Sequence, residues 1–372
     1  MLNNSIDQVV ITTKIEAFGL LAKQKFIEAE KLLMDLLSYN PLDDEAIYLL
    51  SMVKHAKGET EVSKFLLNKA IEKNPHDARY WTELGAIAIE QNYLQEALNL
   101  FAQALKIKSD YPHALRGIAT AYYLLRDFEL SKEYYEQLVK IVPNDQTSIH
   151  MLKSLKGETT EAAPEAYVKN LFNKYADKFE NHLKEKLDYK TPEEIARLVS
   201  TLKFNDNKLE LKALDLGCGT GLAAEEILKF NDKFAFTGLD LSEKMVEISK
   251  AKNIYKKLHV GEILEYLKSN KKNFDLIVAA DVFVYIGELS EIMQEVNRSL
   301  ISPGYMVFSV EKNDDVDTFS LIPTSARYAH SKKYIEKLAK DNGFNIEIME
   351  EIDLRKEGLD IIKGYLVIFC KA

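Results

Sequence analysis

The stretch "ALDLGCGTG", Ala213–Gly221, is the densest run of glycines in the chain, and it joins an apolar run to a helical pattern, "LAAEEILKF". Turns of this kind bring backbone N–H groups close to a nucleotide-like ligand at a helix N-terminus. The dinucleotide fingerprint is G-x-G-x-x-G. Here Gly217, Gly219 and Gly221 are spaced G-x-G-x-G, with Leu216 before the first, Cys218 inside the turn and Asp215 two residues upstream. An acid so close to the turn opposes a pyrophosphate and suits a ligand that carries an ammonium group. Cys218 is expected to contribute its backbone rather than its thiol.

From Ala166 onward, apolar runs rich in Val, Ile and Phe alternate with helical stretches. The candidate strands are "LKALDLG", "FAFTGLD", "KKLHV", "FDLIVAA", "GYMVFSVE", "FNIEIMEEI" and "KGYLVIFC". Strands separated mostly by helices predict a doubly wound, Rossmann-like sheet, here of seven strands. The last two are joined without a helix and should pair antiparallel at one edge. Ligands in such sheets sit at the carboxyl ends of the strands. Asp240, 19 residues past Gly221, ends the second strand in "TGLDLSEKM", with Leu241 and Met245 beside it. An acid there is placed to accept from two ribose hydroxyls. Glu262 and Ile263 follow the third strand, and Asp281 and Val282 the fourth. Glu262 would take an adenine amino group, Ile263 would pack on the ring, and Asp281 and Val282 would floor the cleft. Each acid alone could equally be a turn or cap residue. Together they suit S-adenosyl-L-methionine, which has no phosphate and carries an ammonium and a sulfonium.

The first half repeats itself. Pro41, Pro75 and Pro143 lie on a 34-residue grid whose missing point is Ser109. This period predicts an all-α solenoid of tetratricopeptide repeats, each a helix–turn–helix. Trp81, Leu84, Gly85, Ala97, Phe101 and Ala104 hold the repeat's spacings in the third unit, while Ala88 stands where Tyr is usual. Small residues let paired helices approach and large ones fill the space between them. The reading gives about four repeats and a capping helix over residues 1–156, a polar linker over 157–166, and the strand-rich domain over 167–372. Repeats of this type bind; they do not catalyse. The inner groove would be lined by Tyr48, His55, Arg79, His113, Arg116 and Tyr123. It suits a protein or peptide carrying acidic and apolar residues, or the repeats only cap or dimerise the second half.

The chain has 372 residues, net charge −9 and no long run of Lys and Arg, which argues against nucleic-acid binding. Two cysteines, far apart and without CxxC, give no zinc framework and suit a reducing compartment. Neither a signal peptide nor an 18-residue apolar run is read, so the expectation is cytoplasmic, with no membrane partner and no metal.

Over about residues 165–372 the chain resembles class I S-adenosylmethionine-dependent methyltransferases, above all bacterial ones that carry N-terminal tetratricopeptide repeats. "LFNKYADKFENHLKEKLDYKTP", "SARYAHSKKYIEKLAKDNGF" and "DLRKEGLDIIKGYLVIF" carry the closer match. The resemblance implies methyl transfer with a lid around Tyr175 and Phe179, and it leaves the substrate and oligomeric state open. Arg327, Tyr328 and His330 in "SARYAHS" are the candidates at the substrate: His330 as base, Arg327 as an anion clamp. The same residues also read as a helix start with Ser331 as cap. His182 is a weaker base, and His259 a strand residue. Three functions compete: a methyltransferase whose repeats recruit a polypeptide substrate, a small-molecule methyltransferase whose repeats regulate or dimerise, and a scaffold with a vestigial domain.

Overall fold

The structure is a computed structural model; it describes residues 2–176, 179–180, 189–205, 207–270, 273–357 and 360–371, and for 2–7 the backbone only. The chain divides into two compact units, Met1–Leu152 and Lys153–Ala372.

The first unit is helical throughout. Helices α3 (Asp44–Ala56), α5 (Ala78–Glu90), α7 (Pro112–Leu124) and α9 (Gln146–Leu155) begin at 44, 78, 112 and 146, 34 apart each time. After α1 (Leu2–Ala22), the alternate helices α2 (Phe26–Tyr39), α4 (Thr60–Lys73), α6 (Leu94–Ile107) and α8 (Phe128–Ile141) begin at 26, 60, 94 and 128, on the same period. Local chemistry repeats with it. The turns carry a left-handed residue at Gln24, Gly58, Asn92 and Arg126. After each, an N–H bonds back to a carbonyl five residues earlier: Lys25 to Leu20, Glu59 to Lys54, Tyr93 to Ala88 and Asp127 to Tyr122. This is the Schellman closure of a helix C-terminus. Asp43 and Asp77 cap α3 and α5 by accepting from Ala46 N and Arg79 N, both at 2.9 Å. α7 instead starts with Pro112 and no side-chain cap. In the core, a Cβ on Gly85 or Gly117 would lie 2.8 or 2.3 Å from the Phe101 ring. One buried aromatic is thus wedged against two helices that only glycine lets come so close.

The second unit is a twisted sheet with helices on both faces. Strands β1 (Leu211–Leu216), β2 (Phe234–Asp240), β3 (Tyr255–Val260), β4 (Phe274–Ala279) and β5 (Leu300–Lys312) run parallel in the order β3-β2-β1-β4-β5. Alternation splits the core in two. Ile277, Phe308, Val367 and Phe369 face one side, and Leu276, Val278, Val307, Leu366 and Ile368 the other.

Two details differ from expectation. Among the described residues the sheet has nine strands, because a hairpin of β6 (Phe319–Ile322) and β7 (Arg327–His330) is added, β7 lying parallel to the end of β5. "RYAH" is therefore strand, not helix start. And while the last two strands do pair antiparallel at one edge, as expected, the outermost is β8 (Phe344–Glu357), and β9 (Asp360–Lys371) sits between it and β5, antiparallel to both. No helix among the described residues is long and apolar enough to cross a membrane.

The stretch read as a free linker is bonded into this unit. Glu161 O accepts from Gly287 N at 2.7 Å and Glu288 N at 2.9 Å, and Ala163 N donates to Tyr285 O. Thr160 and Tyr328 share a hydroxyl contact of 2.5 Å.

Candidate functional site

The glycine turn follows β1 and needs its glycines for two separate reasons. Gly217, Gly219 and Gly221 all take positive φ, at 63°, 53° and 93°, where a side chain is strained. A Cβ on Gly217 would also stand 2.5 Å from Val282. The turn is closed by Asp240, whose Oδ2 accepts from Gly219 N at 2.8 Å and whose Oδ1 accepts from Ser242 N at 2.7 Å. Burial pushes the Asp240 carboxyl up, against the pull of those backbone donors. Ser242 then caps the next helix through Met245 N at 3.2 Å.

These strand ends open into a cavity of about 670 Å³. Of the residues expected at the cofactor, Tyr175, Gly217, Gly219, Asp240, Leu241, Glu262, Ile263, Asp281 and Val282 line it. Glu262 does two jobs, since its carboxylate also accepts from Glu265 N at 2.7 Å and caps a helix. Asp215, Leu216, Cys218, Gly221 and Met245 lie behind the wall; Leu216 and Met245 are fully buried. The direct ammonium contact expected of Asp215 is therefore corrected. Its Oδ2 accepts from Tyr255 OH at 2.7 Å. Burial first, then the Asp240 charge, pushes it up to about 7, opposed by the Tyr255 bond. It supports the turn from beneath.

The far end of the cavity is built differently. Among "RYAH", only Arg327 reaches it, because alternate residues of a strand point to opposite faces. Tyr328 and His330 are buried behind it. His330 Nε2 lies 3.0 Å from Gly287 O, and its ring stacks on Tyr334 with centroids 5.7 Å apart. Burial holds His330 down at about 4. It is a neutral core histidine, so its expected role as base is withdrawn, and with it a substrate contact for Tyr328. Ser331 caps the following helix through Tyr334 N at 3.1 Å. His182 lies outside the described residues.

Sequence reasoning missed several wall residues: Arg355 on β8, Tyr189, Phe172, Tyr285 and the former linker residues Glu161 to Ala163. Asp281 takes φ 53°, an uncommon conformation for a non-glycine residue. Its carboxylate accepts from Ser309 Oγ at 2.6 Å and from the Tyr189 phenol. Phe172 packs edge-on against Phe179 and Tyr285 at 5.9 and 5.4 Å. No local signal singles out Arg355 among the charges of "DLRKEG".

In the repeat unit, the expected groove cations are neutralised. Arg79 bonds Asp77 at 2.7 Å and Glu45 at 3.2 Å, Arg116 bonds Asp145 at 2.6 Å, and His55 meets Glu90 at 3.1 Å. Burial and neighbouring Arg116 push His113 down. Tyr48 meets Tyr80 at a tilt, ring centroids 5.0 Å apart, beneath Arg79, and Tyr123 meets Phe128 edge-on at 5.6 Å. The acidic partner expected from a basic groove loses its electrostatic basis.

Residues 207–357 match a family model described as a methyltransferase domain, and residues 88–155 one described as a tetratricopeptide repeat. Curated relatives include malonyl-[acyl-carrier protein] O-methyltransferase of Bacillus anthracis, 27% identical over 142 residues, covering 37% of this chain and 51% of that protein. Sterol 24-C-methyltransferase of Candida albicans is 25% identical over 174 residues, covering 42% of this chain and 44% of that one. The chain spans about half the length of the curated relatives it matches. Among solved structures, magnesium protoporphyrin IX methyltransferase from Synechocystis PCC 6803 with bound SAH aligns with TM-score 0.43 and 17% identity, covering 56% of this chain and 99% of that one. The strand order, the glycine turn and the matched domain agree: a tetratricopeptide-repeat region precedes a domain of the class I methyltransferase fold, whose cofactor is S-adenosylmethionine.

Proposed function

We propose that the chain is an S-adenosylmethionine-dependent methyltransferase acting on a small molecule, with the repeats used for regulation or association. The observation that carries this is the cavity. At about 670 Å³ it is the size of a small-molecule site. Its walls come from the strand ends, the helix Glu165–Tyr175 and the segment 161–163, all within the second unit. The name of the Candida albicans relative specifies a sterol, a small molecule, and that of the Bacillus anthracis relative a malonyl group borne on an acyl-carrier protein.

When bound, the cofactor supplies a methyl group on a sulfonium, already a good leaving group. The turn at Gly217 and Gly219 would admit its backbone-contacting part, and Asp240 keeps lone pairs for ribose hydroxyls. Glu262 offers an acceptor at the adenine end. What remains for the protein is alignment and exclusion of water, which the aromatic wall of Phe172, Tyr175 and Tyr285 would serve.

Calorimetry on the full chain with S-adenosylhomocysteine and with NAD tests the cofactor; binding of NAD alone would overturn the reading. Tritium-methyl cofactor incubated with a fractionated cell extract tests the acceptor. We expect label in the low-mass fraction. Label confined to polypeptide would return the repeats to substrate recruitment.

A further inference from the structure

We infer that Tyr189 and Asp281 form a proton relay that deprotonates a hydroxyl group of the acceptor, so that the product is a methyl ether; this rests on the function proposed above.

The pair sits where a base is needed. Asp281 lies two residues past the end of β4 and lines the cavity beside Val282, which packs against Gly217 of the turn. Its backbone is held at φ 53° without being glycine. A residue kept in that region is over-determined by its surroundings, as at active sites. Here Asp281 N donates to Ser309 Oγ at 2.8 Å, and the Ser309 hydroxyl donates back to Asp281 Oδ1 at 2.6 Å. This closed ring, made with a fully buried serine of β5, fixes the carboxylate. The carboxylate also accepts from the Tyr189 phenol, which lines the same cavity. Burial, then the Asp281 charge, push that phenol well above its ordinary value, so it keeps its proton at rest. Its oxygen retains a lone pair with which to accept another.

Competing groups are absent, engaged or outside. Among the described residues the cavity wall contains no histidine, lysine or cysteine. Asp240 accepts from two backbone amides, and Glu262 caps a helix. Glu161, Glu165, Glu288 and Glu291 line the cavity too, but all four are exposed to water.

The same lining selects the acceptor. Glu357 accepts from Arg355 Nε at 2.9 Å and from Arg327 Nη1, and Glu311 accepts from Arg355 Nη2. The two arginines are thus matched by two carboxylates and leave no spare charge for an anion, which the four exposed glutamates repel. An amine among those acids is held protonated, with no lone pair to give. A hydroxyl is neutral and suits the apolar side chains of Val168, Leu171, Ile286 and Ile292. It is a poor nucleophile until its proton leaves. Its oxygen forms the bond to the methyl carbon as the carbon–sulfur bond breaks and the electron pair stays on sulfur. In the same step the hydroxyl proton passes to the Tyr189 oxygen and the Tyr189 proton to the Asp281 carboxylate. Sulfonium and carboxylate charges vanish together. A methyl ether, a neutral thioether and a protonated Asp281 remain, and Asp281 yields its proton to water once the products leave.

The test uses the full chain, tritium-methyl S-adenosylmethionine and a deproteinised cell extract. Labelled product should survive mild alkali, unlike a methyl ester, and pass through a cation exchanger at low pH, unlike a methylamine. Tyr189→Phe removes only the phenol oxygen. It should slow labelling about a hundredfold, while S-adenosylhomocysteine affinity by calorimetry and the melting temperature stay unchanged. The groups facing Tyr189 are Asp281, the Thr191 hydroxyl and Arg355. With the relay intact, labelling should be flat from about pH 7 to 9; without it, the rate should rise about tenfold per pH unit, because hydroxide must then take the proton. Asp281→Asn tolerates the same backbone conformation and should show the same slope. A tyrosine that only packed would leave the slope unmoved. A Tyr189→Phe rate within about threefold of the wild type overturns the relay. So does an equal pH slope in wild type and variants, label released by alkali, or label held by the exchanger. Failure of the wild type to bind S-adenosylhomocysteine, or to label any low-mass compound, would strike the function proposed above, and the relay with it.

Discussion

The repeat unit and the methyltransferase unit answer the same problem, burying apolar surface, by opposite routes. In the first, each helix packs on neighbours close in sequence, and a motif that works once is used again 34 residues later. In the second, β1 lies between β2 and β4, and β5 pairs with β9 more than 50 residues away. The difference shows in where polar groups end up. The repeats pair their charges within a unit or with the next one, as Arg79 with Asp77 and with Glu45. The sheet buries Asp215, Glu311, His330 and Arg355 at or near its carboxyl ends. A periodic fold has little reason to bury charge; a fold with one cleft collects it there.

The comparison breaks first at Phe101. If the repeats depend on one ring wedged against Gly85 and Gly117, Phe101→Ala should cost about 3–5 kcal/mol. Loss of the helical circular-dichroism signal with urea measures it, and a cost under about 1 kcal/mol would show that the wedge is incidental.

A second effect belongs to the cleft. The folded Asp215 carboxyl sits at about 7, above its unfolded value near 3.8. The folded state thus holds a proton that the unfolded chain has lost, so stability falls as pH rises through about 4 to 7. Asp215→Asn should flatten that slope and stabilise the protein by about 2–4 kcal/mol at pH 8. Melting temperatures from pH 5 to 8 measure this; parallel curves for both proteins would mean that Asp215 is not held neutral.

The smallest effect tests the periodicity itself. Asn92 holds the left-handed position that Gly58 holds one repeat earlier. Asn92→Gly should change stability by no more than about 0.5 kcal/mol, since both residues tolerate that conformation. A larger loss in a urea melt would mean that the Asn92 side chain carries a role outside the repeat pattern.

How much could be read in advance follows from the same contrast. The 34-residue grid was legible through Pro41, Pro75 and Pro143, but the aspartates at 43, 77 and 145 carried it too and went unread. Asp43 and Asp77 are the caps that start two of the first helices of the repeats. At the cleft, Asp240, Glu262 and Asp281 were legible because a doubly wound sheet always delivers strand ends to one side. The β6–β7 hairpin was not, being two four-residue strands too short to show alternation. Missing it made His330 look like a base.

The sequence alone determined the period of the repeats, the position of the glycine turn and the acids at the strand ends. All are local facts: a turn needs its glycines, a helix its cap, a strand its apolar run. Only the tertiary structure decided which side chains face the cavity. It set Arg327 toward it and His330 away, brought Arg355 and Tyr189 to its head, and turned a polar linker into its wall. Facing depends on register and pairing across the sheet, where one residue of slip reverses every side chain, and no short stretch of sequence contains that information.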